Sequence, residues 1–190
     1  MLVFDEPSLR VYATHLSEEG LAAARTAVGT LLKEAFPAEH PMLRHTPDGA
    51  PYIDGVSGSP AISISHSGSQ ALLAVSVIYA AVGIDTETDD RDTQLERVKH
   101  KYLATGQQER WGKTPYARLV AWCIKEAVYK CALKPGVPLV SIPLPDIGFL
   151  ECGSAEVEVG ELHINLRLLT ELDGNGPIVV AWRDKHCNIC

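Results

Sequence analysis

Residues 121–130 of the chain read AWCIKEAVYK and lie within a predicted helix over residues 117–133. This segment contains no Gly or Pro, and its apolar residues recur at steps of three and four, which is typical of a helix with one buried stripe. At about 100° per residue, Trp122, Glu126 and Lys130 lie together on the opposite side. The segment alone fits either an exposed Glu–Lys pair or a functional site.

Acidic residues upstream favour the functional site. A short apolar strand predicted over residues 80–87 ends in Asp85 and Glu87, and residues i and i+2 of a strand point to the same side. Beside the helix, these two and Glu126 would repel by about 4 kcal/mol per pair at about 4 Å and an effective dielectric of about 20. Mg²⁺ or Mn²⁺ would remove that repulsion, and Lys130 would face the phosphates of a substrate. We therefore expect a metal-assisted phosphate site.

The composition restricts the class of protein. The chain has 190 residues, of which 46% are hydrophobic and 22% charged, as in an ordinary globular protein. Its formal net charge of -7 argues against broad nucleic-acid binding. The sequence has no membrane span and no signal-peptide pattern, so we expect a cytoplasmic protein. Five cysteines argue against a disulfide framework, and the terminal Cys187-x-x-Cys190 is expected to be a frayed tail.

A second helix is predicted near the start of the chain. Ser17 and the two glutamates after it predict the start of a helix over residues 21–36. We expect Leu21 on its buried face and Arg25, as a solvated charge, on a different side. The proline-rich stretch 37–60 predicts an ordered connection without a sustained period, in which Tyr52-Ile53 is expected to be a short strand.

A β-hairpin is predicted next. Residues 61–66 alternate with period two, and a second strand over residues 70–77 follows a Ser-Gly-Ser turn. The first strand ends in Ser65 and His66. A histidine at a strand end is by default structural or solvated.

The order of elements predicts the fold class. Four strands are predicted beyond the central helix, at residues 147–152, 155–159, 161–169 and 178–183. A helix over residues 94–102 is expected before it, followed by a break at Thr105-Gly106 and a further helical turn to Trp111. Together these elements indicate an α+β fold with an N-terminal half (1–79) and a C-terminal half (80–190) that meet near Tyr79.

Four short motifs occur in one order along the chain. They are GAP at 49–51, ISHSG at 64–68, VGIDTE at 82–87 and WCIKEAVYK at 122–130. Each is weak alone, but their joint order resembles the 4'-phosphopantetheinyl transferase superfamily, in its single-chain surfactin-synthetase-activating type. The resemblance covers about residues 25–130. It implies two similar α/β halves in a pseudo-dimeric fold, with the active site between them.

The resemblance also implies an activity. The 4'-phosphopantetheine arm of coenzyme A would be transferred to a serine of an apo acyl or peptidyl carrier protein, with release of adenosine 3',5'-bisphosphate. Asp85, Glu87 and Glu126 would hold Mg²⁺, or Mn²⁺, with the pyrophosphate. Lys130 would neutralise charge as the serine attacks, and the base would be Glu126 or a metal-bound water. We expect a monomer that engages neither nucleic acid nor membrane.

The match also assigns coenzyme A contacts. Ser65 and His66 would bind its phosphates with Lys130, and Arg25 would meet the adenosine 3'-phosphate. The family's Gly-Lys-Pro is Gly-Ala-Pro here, so Ala50 removes one positive side chain near the nucleotide. Two alternatives to the transferase are a coenzyme A-binding protein without transfer activity and a structural or interaction protein.

Overall fold

The fold is mixed α+β. The computed structural model describes residues 1–16, 18, 20–132, 136–169 and 176–185. These residues form five α-helices and three antiparallel sheets, so the predicted α+β class is confirmed. Within them, no helix combines the length and apolar character that crossing a membrane requires.

The first sheet comes from the start of the chain. Its strands, in spatial order, are β1 (Leu2–Glu6), β2 (Leu9–His15), β6 (Gln70–Ser76) and β5 (Ala61–Ser67). Helix α1 (Leu21–Ala35) covers one face and buries Leu31 against Leu73 in a shared apolar cluster. The predicted hairpin is confirmed as β5–β6, and a small two-stranded sheet, β3 (Met42–His45) with β4 (Pro51–Asp54), lies between α1 and β5 in the chain.

The second sheet comes from the rest of the chain. Its strands, in spatial order, are β7 (Ala81–Thr86), β10 (Ile178–Arg183), β9 (Leu162–Leu169) and β8 (Ser154–Val159). The other helices are α2 (Asp92–Val98), α3 (Thr105–Trp111), α4 (Pro115–Ala132) and α5 (Phe149–Cys152). Helix α4 packs across β7 and β10, and its apolar stripe, including Ile124 and Val128, is fully buried. The predicted central helix and strand β7 are therefore confirmed.

Three strands of each sheet share an order. In the first, β2 precedes the long helix α1 and pairs antiparallel with β6, whose other neighbour is β5. In the second, β7 precedes the long helix α4 and pairs antiparallel with β10, whose other neighbour is β9.

Helix α4 and strand β7 touch through their backbones at Gly83. A Cβ atom at this position would lie 1.9 Å from the carbonyl oxygen of Ala127 and 2.9 Å from the amide nitrogen of Cys131. Only a hydrogen fits in that space. The contact fixes the height of α4 above β7, and with it the position of Glu126 and Lys130 relative to Asp85.

Strands β5 and β7 lie side by side and are joined by serine hydroxyls. Alternate residues of β5 are serines, and each hydroxyl bonds to a group on β7 or just after it. Ser63 Oγ accepts from Ile84 N (3.0 Å), Ser65 Oγ donates to Asp85 Oδ1 (2.8 Å), and Ser67 Oγ donates to Glu87 Oε2 (2.7 Å). We call this set the serine seam. It links the two four-stranded sheets.

Two predictions of secondary structure are wrong. Residues 147–152 do not form a strand, because Phe149–Cys152 is a single helical turn that buries Phe149 and ends at Gly153 with φ of 68°. Periodicity cannot separate strand from helix in so short an apolar run. In the stretch 37–60, the short strand expected at Tyr52-Ile53 is confirmed within β4, but its partner strand Met42–His45 was expected to be a connection.

Two further details differ from the prediction. Leu21 is 61% exposed and not buried, because it is the first residue of α1 and lies at the mouth of the cavity described below. The break before α3 comes earlier than expected, because Thr105 already begins this helix, which runs to Trp111 as predicted. Ser17 and the terminal Cys187-x-x-Cys190 lie outside the described residues.

Candidate active site

Asp85 lies near the end of β7 and is almost fully buried, at 5% exposed. Its Oδ1 accepts hydrogen bonds from Ser65 Oγ and from Lys130 Nζ, each at 2.8 Å. Its Oδ2 is buried and has no hydrogen-bond partner in the part of the chain that is described. Buried polar atoms are normally satisfied, so this free carboxylate oxygen is a candidate ligand for a hard cation.

Glu87 follows β7 and is also buried. Its Oε2 accepts from Ser67 Oγ at 2.7 Å, and its Oε1 lies 3.6 Å from an Nη of Arg91. Burial raises the pKa of Glu87, although the Ser67 hydrogen bond and the Arg91 charge oppose the shift. A second carboxylate is thus held in a partly desolvated place.

Glu126 is half-buried on α4, one turn before Lys130. Burial raises the pKa of Glu126, and the charge of Asp85 raises it further. Lys130 acts in the opposite direction, and Glu87 contributes a smaller increase. The structure therefore brings the three predicted carboxylates close enough for their charges to interact, as the sequence analysis expected.

The carboxylates do not form a ready-made metal cage. Among the described residues, no group of three His, Cys, Asp or Glu side chains is arranged to hold an ion. The chemistry of the donors nevertheless fits Mg²⁺, which prefers oxygen ligands and keeps some waters. Asp85 offers a free buried oxygen, and a nearby cation would favour the ionised form of Glu126, whose pKa is raised by burial and by the charge of Asp85.

A large cavity reaches Lys130, although none of the three carboxylates lies on its wall. It has a volume of about 680 Å³, within the range typical of small-molecule sites, and lies between α1, the β3–β4 hairpin, β5 and α4. Apolar side chains on its wall are Leu21, Ala24, Val28, Leu43, Ile62, Ile64 and Val82. Basic side chains on its wall are Arg25, His45, His66 and Lys130, against one acid, Asp48. Such a wall suits a ligand with an apolar part and several negative charges.

The predicted coenzyme A contacts fall in different places. Arg25, His66 and Lys130 line the cavity, as does Ala50 of the Gly-Ala-Pro turn. Ser65 is not on the wall, since its hydroxyl donates to Asp85. Its contact with phosphate stays a prediction.

The sequence analysis did not find His45. This residue ends β3 opposite Pro51 of β4 and lines the cavity next to the Gly-Ala-Pro turn. It lies in the stretch that was expected to be a connection, so no strand period could assign its direction. The structure adds it as a fourth basic side chain of the wall.

Lys125 was also missed. It is fully buried on the back of α4, where Nζ donates to Gln107 Oε1 at 2.9 Å and to the carbonyl oxygen of Ile142. Burial lowers the pKa of Lys125 to about 8. Ala121, Lys125 and Val128 are spaced by four and three residues, as in the buried stripe of the helix. This spacing could have predicted that Lys125 is buried.

Trp122, on the polar side of α4 by period, packs edge-on against the buried ring of Tyr102. The ring centroids are 5.2 Å apart, and the planes are at 87°. Trp122 is thus half-buried and anchors the segment after α2 beside the helix.

No known protein-family model and no curated protein matches this chain.

Proposed function

We propose that this protein transfers the 4'-phosphopantetheine arm of coenzyme A to a serine of an apo carrier protein, as an Mg²⁺-dependent phosphopantetheinyl transferase. The proposal depends chiefly on one observation. Lys130 lines the cavity and also donates a hydrogen bond to Asp85. A ligand whose phosphates contact Lys130 would therefore lie one side chain away from Asp85.

The cavity wall supports coenzyme A as the ligand. Its apolar side chains suit the adenosine and the pantetheine arm, and His66 and Lys130 suit the pyrophosphate at the end near the carboxylates. Coenzyme A carries one further phosphate, on the adenosine 3' oxygen. Arg25 and His45 are the remaining basic side chains for it.

Asp85, Glu87 and Glu126 would hold the metal ion. When bound, Mg²⁺ would neutralise the pyrophosphate and make its phosphorus easier to attack. The oxygen-only donor set and the free Oδ2 of Asp85 support this assignment.

The reaction is a displacement at phosphorus. The serine oxygen forms a bond to the phosphorus that carries the pantetheine arm, and the bond from this phosphorus to the bridging oxygen breaks. The leaving group is adenosine 3',5'-bisphosphate. The base for the serine proton would be Glu126 or a metal-bound water. Lys130 would stabilise the charge on the phosphate oxygens.

The strand order supports the pseudo-dimeric arrangement proposed with this function. Each four-stranded sheet pairs the strand before its long helix with a later hairpin strand. The candidate site lies where β5 of one sheet meets β7 of the other, as expected for a site between two similar halves.

The proposal is tested by incubating the protein with coenzyme A, Mg²⁺ and several apo acyl and peptidyl carriers, and by reading the carrier's intact mass. We expect addition of the arm to at least one carrier, with none in EDTA. If the phosphopantetheine arm is added to none of the carriers, the transferase proposal is wrong. Coenzyme A binding without release of adenosine bisphosphate would instead identify a binding protein.

A further inference from the structure

Arg91 is a basic side chain next to the carboxylates that the proposed reaction does not use. It ends the 3₁₀ turn Asp89–Arg91, four residues after Glu87. Its guanidinium lies 3.6 Å from Glu87 Oε1, while its Nε is buried and has no hydrogen-bond partner among the described residues. Arg91 is therefore held to Glu87 by a long ion pair and is not fully satisfied there.

The three carboxylates differ in how they are neutralised. Asp85 is paired with Lys130 at 2.8 Å, and Lys130 is anchored further by a 2.9 Å hydrogen bond to the carbonyl of Ile84. Glu87 is paired with Arg91 at the longer distance. Glu126 makes no ion pair with any described residue.

This pairing offers a reason why no ready-made metal cage is present. Glu87 directs one oxygen to Arg91 and the other to Ser67, so an ion bound at this carboxylate would face the positive charge of Arg91. The Arg91–Glu87 ion pair is weaker than the Lys130–Asp85 pair, because it is longer and the Arg91 side chain is 40% exposed to water. The Lys130 pair is shorter and better anchored, so it would remain.

We propose that Arg91 is an internal counter-ion of Glu87 that competes with the divalent cation and so sets the metal affinity of the site. The inference rests on the proposed function, in which these carboxylates hold Mg²⁺. Without metal, Arg91 neutralises Glu87 and limits repulsion in the cluster. When metal binds, Glu87 turns from the guanidinium to the ion.

The test measures Mg²⁺ affinity by calorimetry and thermal melting, without coenzyme A or carrier. We expect Arg91→Gln to lower the Kd for Mg²⁺ about three- to fivefold, in keeping with a partly exposed ion pair. Arg91→Lys keeps the charge and should stay close to the wild type. Arg97→Gln is the matched control, because Arg97 is exposed on α2 and has no ion pair with a described residue.

Melting without metal shows whether each variant folds. An unchanged or higher Kd in folded Arg91→Gln would overturn the inference, as would a wild-type protein that binds no Mg²⁺. The proposed function is judged separately by the carrier assay. If Arg91→Gln binds Mg²⁺ more tightly than the wild type but the wild type modifies no carrier, the counter-ion inference stands and the proposed transferase activity is rejected.

Discussion

Lys130 Nζ lies 2.8 Å from Asp85 Oδ1, and this hydrogen bond ties helix α4 to the end of strand β7. The same ammonium group donates to the carbonyl of Ile84 and lines the cavity. One side chain thus belongs to the helix–strand contact, to the carboxylate cluster and to the proposed phosphate site.

We expect Lys130→Met to reduce kcat for arm transfer by about 10²–10³-fold, because it removes a charge that stabilises the transition state. It also leaves Asp85 buried with only its Ser65 partner, so we expect a loss of about 1–3 kcal/mol in the free energy of unfolding. Steady-state kinetics and urea unfolding measure the two effects. Lys33→Met is the control, because Lys33 is exposed on α1. Normal turnover in Lys130→Met would exclude Lys130 from the chemistry.

Glu126→Gln should abolish transfer while the fold stays intact, because the amide neither binds Mg²⁺ as a carboxylate does nor accepts the serine proton. Without metal, we expect the variant to be at least as stable as the wild type at pH 7. Burial and Asp85 raise the pKa of Glu126, so its ionised form is disfavoured in the folded state. Intact-mass assays and thermal melting in EDTA check both statements. Near-normal turnover would remove Glu126 from the mechanism.

Gly83→Ala should lower both stability and transfer, because the new Cβ would meet the backbone of Ala127 at 1.9 Å and push α4 away from β7. Overpacking of this kind costs about 1–3 kcal/mol, measured by urea unfolding. Gly29→Ala in α1 is the matched control, since its Cβ would meet nothing within 4 Å. In a helix that change should stabilise the protein by up to about 1 kcal/mol. Equal stability of the two variants would contradict the close contact.

His45→Ala should weaken the binding of coenzyme A more than the binding of 3'-dephospho-coenzyme A, because His45 is assigned to the 3'-phosphate. We expect about a tenfold higher Kd for coenzyme A, as for a lost hydrogen bond to a charged group. Calorimetry with both nucleotides measures the difference. His15→Ala, an exposed change on β2 outside the cavity wall, should leave both affinities unchanged. An equal loss for the two nucleotides would place His45 away from that phosphate.

Lys125→Met should change how stability depends on pH. Burial lowers the pKa of Lys125 from 10.5 to about 8 in the folded state. Between these values the unfolded chain binds a proton that the folded protein lacks, so wild-type stability rises with pH relative to the variant. Below pH 8 the lysine is protonated in both states, and the difference is constant. Chemical unfolding from pH 7 to 10.5 measures this, and a flat difference would show that Lys125 is not desolvated as described.

Much of the framework could be predicted from the sequence. The period of three and four gave α4, the alternation gave the β5–β6 hairpin, and Asp85 and Glu87 were expected to converge with Glu126. These features depend on the spacing of residues within one segment, which can be read directly from the sequence. The four-residue helix α5 was missed, because so short an apolar run has no period of its own.

Other parts of the site depend on which elements become neighbours. The alternating serines of β5 indicated a polar face, but Ser63 and Ser65 are buried because β7 lies beside them. Arg91 and His45 gained roles only when the turn after β7 and the β3–β4 hairpin folded next to the carboxylates and the cavity. No spacing rule within one segment relates such residues.

The serine seam has a consequence for how the alignment of the two sheets could change over evolution. Where strands are joined by backbone hydrogen bonds, a shift of register requires the whole ladder to slip. Across the seam, each link is a single hydroxyl, and two of the three links end on Asp85 and Glu87. Replacing Ser65 or Ser67 would therefore remove one link between the sheets and one hydrogen bond to a carboxylate together, in a step as small as one oxygen atom.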